Sequence, residues 1–185
     1  SLISSMGTVS IAANAVAHTL ATFQYMPGSA IGLATTTIVG RCIGAREKEQ
    51  AKKYSRILLA TTYACLLCVV ILTLLFSKPI IGLYGLSSAS AKLANKLIIY
   101  HAVVAAFLWP IAFSLPSSFK AASDVKYTLG VSMISMWIFR VALGYVFATK
   151  SISLFGLNIP GLGLGVFGVW LAMTVDWLFR AILFI

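Results

Sequence analysis

The sequence predicts an all-α integral membrane protein, a polytopic helix bundle, and three observations carry that reading. Apolar residues make up 60% of the 185 residues and charged ones 10%, with a mean hydropathy of +0.98, outside the range of soluble domains. Five long apolar stretches fill most of the chain, and nearly every Lys and Arg sits in the gaps between them. One stretch, 57–76, holds no charge at all. A hydrocarbon core needs about 20 apolar helical residues to cross it, and lipid offers no water to an unpaired backbone N–H or C=O. A run of that length must therefore be helical.

Each element follows in order. Residues 1–6 read as the last turns of a helix, and Gly7-Thr8 as a turn. The first span is expected over about 11–39, with Pro27-Gly28 kinking it near the middle. The small-residue pairs Gly28/Gly32 and Gly40/Gly44 leave room for a neighbouring helix. A basic loop over 41–56 precedes the second span, 57–76. The stretch 77–96 carries Lys78-Pro79, Gly82 and Gly85 and reads as a turn-rich, partly helical segment along the outer face. The third span, about 97–119, bends at Pro110 and Pro116, and a short loop over 120–126 leads to the fourth, about 127–147. A Gly/Asn/Pro-containing outer loop runs through Gly161 to the fifth span, 162–185. The opening SLISSMG, without an initiator Met, and the apolar close AILFI predict that the chain is part of a longer one.

The net charge of +10 is distributed by side. Arg41, Arg46, Lys48, Lys52, Lys53 and Arg56 crowd the first loop and Lys120 and Lys126 the other, eight cations against four (Lys78, Lys92, Lys96, Lys150) on the opposite side. Positive loops face the cytoplasm, so loops 41–56 and 120–126 are expected inside, in the cell membrane. The same distribution excludes a nucleic-acid surface, because Tyr54 is the only aromatic residue among the basic ones. Cys42, Cys65 and Cys68 make no disulfide framework, and Cys65/Cys68 lie in an uncharged apolar run where thiols are inert core fillers.

Ionisable groups at membrane depth are the candidates for chemistry. Asp176 alone among the four acids lies in a span, about 21 Å from the outer boundary at 1.5 Å per residue. Arg180 follows one turn later, so the two are expected to form a structural ion pair. Arg140, about 20 Å from the inner boundary, falls in the outer half and about 10 Å from Asp176 in depth. His18 and His101 lie about 10 Å and about 6 Å below the outer boundary. With Asn14, Gln24 and Tyr25 on span one and Tyr100 and Trp109 on span three, they form an outer polar and aromatic layer. That layer either lines a cavity, where aromatic faces hold a flat organic cation, or bonds helix to helix. Two histidines without a third ligand make no metal site. No paired carboxylate, nucleophile–base set or phosphate-cradling glycine loop marks an enzyme, and no cofactor is expected.

Several stretches together carry a family resemblance. They are GTVSIAANAVAHTL (7–20), VGRCIGAREKEQAKKYSR (39–56), WPIAFSLPSSFKAASDVKYT (109–128), ISMWIFRVALGY (134–145) and GLGLGVFGVWLAMTVDWLFRAILF (161–184). In order and over nearly the whole chain, they resemble the second half of the multidrug and toxic compound extrusion (MATE) transporters. The resemblance implies two six-helix lobes, of which this chain holds the end of helix seven and helices eight to twelve. It also implies a secondary antiporter that exports organic cations or other xenobiotics in exchange for H⁺ or Na⁺. Its partners would be a missing N-terminal lobe of the same chain, membrane lipid and small organic substrates. The family's inner loop reads Leu-Arg-Gly-Ala-Gly-Asp-Thr-Lys, whereas here Phe119-Lys120-Ala121-Ala122-Ser123-Asp124-Val125-Lys126 keeps only Asp124 and Lys126 of its polar landmarks. Some members place an acid in helix ten for sodium. The corresponding stretch, 100–113, has no carboxylate, which counts against a sodium site of that type. A coupling acid is thus expected outside this chain. Two other readings stay open: a lipid or polysaccharide flippase of the same superfamily, which Arg140 favours, and a non-transporting membrane scaffold.

Overall fold

The computed structural model describes residues 2–154 and 157–185, with side chains outside 152–159. A 3₁₀ turn, Ser4–Met6, leads into α1 (Thr8–Gly44), followed by α2 (Lys48–Gly82) and α3 (Ser88–Trp109). The third run continues through a π-helical segment, Pro110–Ser114, into α4 (Pro116–Ala121). The fourth is α5 (Val125–Ser135), a second π-helical segment, Met136–Ala142, and α6 (Leu143–Ala148). A two-stranded antiparallel hairpin, β1 (Ser151–Leu154) and β2 (Leu157–Pro160), precedes α7 (Val166–Phe184). The fold is the all-α polytopic bundle, with this hairpin standing where a plain outer loop is expected. Phe155 and Gly156 of that loop lie outside the described residues.

Four of these runs, Lys48–Gly82, Ser88–Ala121, Val125–Ala148 and Val166–Phe184, are long and apolar enough to cross a membrane. At 37 residues α1 is long enough too, but Asn14, His18, Gln24 and the threonines at 35, 36 and 37 lower its apolarity. The expected first span over 11–39 therefore stands on length and not on composition.

Three expected boundaries need correction. The loop over 41–56 is a tight turn at 45–47 between two long helices. Lys, Glu, Gln and Ala are good helix formers, so the charges decorate a continuing helix, with Lys52 and Glu49 paired at 3.0 Å across i,i+3. The loop over 120–126 likewise shrinks to 122–124. The segment 77–96 is mostly helix: α2 runs through Pro79 to Gly82, and Ser87 caps α3 by accepting from the Ser90 N–H. At the two tight turns the chain closes the same way. Glu47 N–H reaches Cys42 C=O and Asp124 N–H reaches Phe119 C=O, with Arg46 and Ser123 in the left-handed region (φ 62° and 67°). The two turns share one end of the bundle, where the hydroxyls of Ser55 and Ser118 meet at 2.6 Å.

Proline explains one π-helical segment. Pro110 has no N–H to donate and its ring crowds the preceding turn, so the helix widens, and Leu115 N–H reaches Pro110 C=O across five residues. The core runs along α1, α3 and α7, where Ala13, Ala17, Leu97, Ile98 and Trp170 pack near one end and Ala105, Trp109 and Trp177 nearer the other. Ala13, Ala17 and Ala21 of α1 and Ala94 of α3 belong to this core, and small residues let neighbouring helices approach. At the hairpin end, Gly161, Leu162, Gly163, Leu164 and Gly165 donate five consecutive N–H groups to the carbonyls of residues 150, 146, 149, 147 and 148. A Cβ at Gly161 would strike the Thr149 carbonyl, and Gly163 and Gly165 adopt φ near +60°. The stretch thus wraps around the end of α6.

Candidate functional site: an aromatic cavity beside Arg140

Between α1, α3, α7 and the Met136–Ala142 segment lies a cavity of about 240 Å³. Five sequence candidates line it: His18, Tyr25, His101, Trp109 and Arg140. Ser29, Phe113, Trp170, Met173 and Trp177 complete most of the wall. A larger groove at Val69, Phe76 and Pro79 on α2 is almost wholly apolar and offers no polar chemistry.

The aromatic wall is a continuous chain of rings. Tyr25 stacks on Trp109 (centroids 5.8 Å, planes 9° apart), and Trp109 stacks on Phe113 (5.5 Å, 23°). Phe113 meets Trp177 edge-on at 5.6 Å, and His101 stands edge-on to both Trp177 and Trp170. Each contact has the offset or T-shaped geometry that ring quadrupoles favour. Gly28 makes the arrangement possible, because a Cβ there would overlap the six-membered ring of Trp109.

The remaining candidates stand behind this wall. Gln24 is fully buried and its Oε1 lies 2.6 Å from His101 Nδ1, so Nδ1 carries the proton in that contact, an amide oxygen being able only to accept. Asn14 Oδ1 accepts from Trp170 Nε1 at 3.0 Å, and Tyr100 and Thr174 share a hydroxyl contact at 2.6 Å. Asn14, Gln24 and Tyr100 thus bond helix to helix and do not line the cavity. Asn14 and Gln24 nonetheless position Trp170 and His101, which do.

Asp176 and Arg180 pair at 2.9 Å through Oδ1 and Nε, with Asp176 fully buried. Ser135 Oγ also donates to Asp176 Oδ1, while Arg180 Nη2 reaches Ser132 C=O at 3.3 Å. The guanidinium lies over the Phe113 ring, 5.3 Å from its centroid. Asp176 Oδ2 is buried without a hydrogen-bond partner among the described residues. Arg140 behaves differently. It is exposed, lines the cavity, and points Nη2 at Met173 Sδ, 3.2 Å away.

Sequence reasoning missed Trp170, Met173 and Trp177. The signal was present, since positions i, i+3 and i+7 fall on one face of a helix. What the pattern could not say is that this face turns toward α1 and α3.

Fold and site together define a multi-pass membrane helix bundle built around an aromatic cavity. The chain belongs to the MatE family, whose model matches residues 1–146. It is similar to the probable multidrug resistance protein NorM of Bacillus subtilis (strain 168), at 27% identity over 93% of this chain and 35% of that protein. NorM of Bacillus cereus (strain ATCC 14579) is 29% identical over 80% of this chain and 32% of its own length, and that of Mannheimia succiniciproducens 24% over 98% and 37%. The chain thus spans about a third of the length of the curated relatives it matches. Membership of this family classes the chain with membrane transporters and not with enzymes.

Proposed function

We propose that the chain is one lobe of a two-lobe secondary antiporter that exports aromatic organic compounds from the cell in exchange for H⁺ or Na⁺. The carrying observation is the cavity of about 240 Å³, walled by Tyr25, Trp109, Phe113, Trp170 and Trp177 and open beside Arg140. Flat, sequence-tolerant ring faces suit ligands that share aromaticity and little else. Multidrug resistance in the names of its relatives supports the same reading. A second lobe would supply the facing wall, and rocking of the two around the cavity would alternate access. In this arrangement α1 crosses the membrane with the four more apolar runs, and the turns at 45–47 and 122–124 face the cytoplasm, where the positive-inside rule places their flanking cations.

The test is gradient-driven uptake of an aromatic dye into inverted membrane vesicles carrying the intact protein. Uptake that collapses when the H⁺ or Na⁺ gradient is dissipated is expected. Uptake indifferent to both gradients, or none at all, overturns the antiporter. A lipid or polysaccharide flippase is the second reading, favoured by the cation Arg140 at the cavity. It predicts movement of a labelled anionic lipid in place of the dye.

A further inference from the structure

Where the charged turns meet the apolar runs, a groove of about 540 Å³ opens between the ends of α1 and α7, the start of α2 and α4. Its depth follows from the chain itself. Arg56 is the last charge of α2 before the uncharged run 57–76, and Phe119 is the last apolar residue before Lys120. Both line the groove, so it straddles the level at which water gives way to hydrocarbon. At that level a bilayer offers phosphate on one side and acyl chain on the other.

The lining matches both. Lys52 and Arg56, one turn apart on α2 and both exposed, face the groove together, as i,i+4 spacing directs. Glu49 holds Lys52 at 3.0 Å, but both side chains are exposed (67% and 87%), and such a pair is worth little against a better partner. The rest of the lining is mostly apolar, with Ile43, Leu115, Phe119 and Phe184. These walls are held by contacts of their own. Phe119, Tyr127 and Phe184 brace one another with centroids 6.0–6.3 Å apart, and the Ser55–Ser118 hydroxyl pair ties α2 to α4. Charge at this end of the bundle is unbalanced, eight cations against three acids, Glu47, Glu49 and Asp124. A soluble anion would need the cations alone, whereas the adjoining apolar wall calls for a ligand that carries hydrocarbon as well.

We propose that this groove is a binding site for an anionic phospholipid, whose phosphate is held by Lys52 and Arg56 and whose acyl chain lies along Ile43, Leu115 and Phe119. Basic pockets between helix ends at a membrane surface take acidic headgroups in this way. The assignment is independent of what the aromatic cavity carries.

Native mass spectrometry of the intact protein tests it, after equilibration in detergent with equal amounts of phosphatidylglycerol and phosphatidylcholine of the same chains. Each cation near an anionic headgroup is worth about fivefold in affinity, so retention of phosphatidylglycerol about 25-fold over phosphatidylcholine is expected. The double variant Lys52→Gln/Arg56→Gln brings the ratio close to one. Lys48→Gln/Lys126→Gln removes the same charge from the same end but outside the groove, and leaves the ratio unchanged. Ile43→Trp fills the apolar part without touching a charge and lowers retention of phosphatidylglycerol. A wild-type ratio near one, or no lipid retained, overturns the site even if a variant is lost to misfolding. A groove filled by another part of the intact protein would register in that way. Equal losses in the two double variants would reduce the effect to diffuse surface charge and overturn the site as well. Displacement of phosphatidylglycerol by an equal concentration of glycerol phosphate would make the groove a soluble-phosphate site, and the lipid assignment would fall.

Discussion

Arg180 lies over Phe113, 8% exposed, and gives Nε to Asp176 at 2.9 Å, whereas Arg140 is exposed beside the cavity and touches a thioether. Their neighbours in sequence account for the contrast. Arg180 has Asp176 one turn before it, at the i,i+4 spacing that brings helix side chains together. Arg140 has Met136 and Gly144 at the same offsets, so its own helix offers no acid. Charge at membrane depth is expensive to leave bare, and of these two cations one is neutralised by an acid of its own helix while the other meets a thioether.

Four substitutions break or sharpen that contrast. Asp176→Asn has the largest expected effect, because it leaves Arg180 buried without a counter-charge, at a cost of about 3–5 kcal/mol. Thermal unfolding in detergent measures it. A loss near zero would mean that the Ser132 carbonyl is partner enough, and the two arginines would no longer differ in kind. Gly28→Ala comes next. The new methyl group overlaps Trp109, so the ring must shift toward the cavity, at about 1–3 kcal/mol of overpacking. Weakened binding of aromatic ligands is expected along with the lower unfolding temperature. Ser123→Gly, far from both arginines, shows what a purely local backbone effect is worth. It relieves a left-handed serine at φ 67° and is expected to raise stability by about 1 kcal/mol in the same assay. Arg140→Gln is the smallest for stability, within about 0.5 kcal/mol, since the side chain is exposed and its contact is a thioether. Its unfolding curve should overlay that of the parent while ligand binding changes.

Much of this architecture is legible in the chain, and the limits have physical causes. Uncharged runs such as 57–76 must be helical in lipid whatever surrounds them, so the helices of the bundle follow from composition and length. Boundaries were harder. The charged residues after Gly44 look like a loop, yet they are good helix formers and α2 starts at Lys48. Pro79 looks like a stop, yet α2 runs past it for another three residues. At the site, Trp109, His101 and Arg140 announce themselves as aromatic or ionisable groups at depth. Trp170 and Trp177 do not, because an apolar helix such as α7 shows little in sequence of which face its neighbours will cover. Gln24 and Asn14 carry the opposite lesson: polar at depth, they serve the cavity from behind, by holding His101 and Trp170.

The glycine wrap at 161–165 bears on how such a bundle is made. The last carbonyls of α6 and the first amides leading into α7 satisfy one another without help from α1 or α3. Neither end then carries bare backbone polarity into lipid, so the two helices are expected to insert as a single unit, a closed hairpin. Biogenesis, and not ligand recognition, is where the loss of Gly161 should first be felt. A Gly161→Val chain is expected to accumulate with α7 left outside the bilayer, which glycosylation mapping of the chain end would reveal.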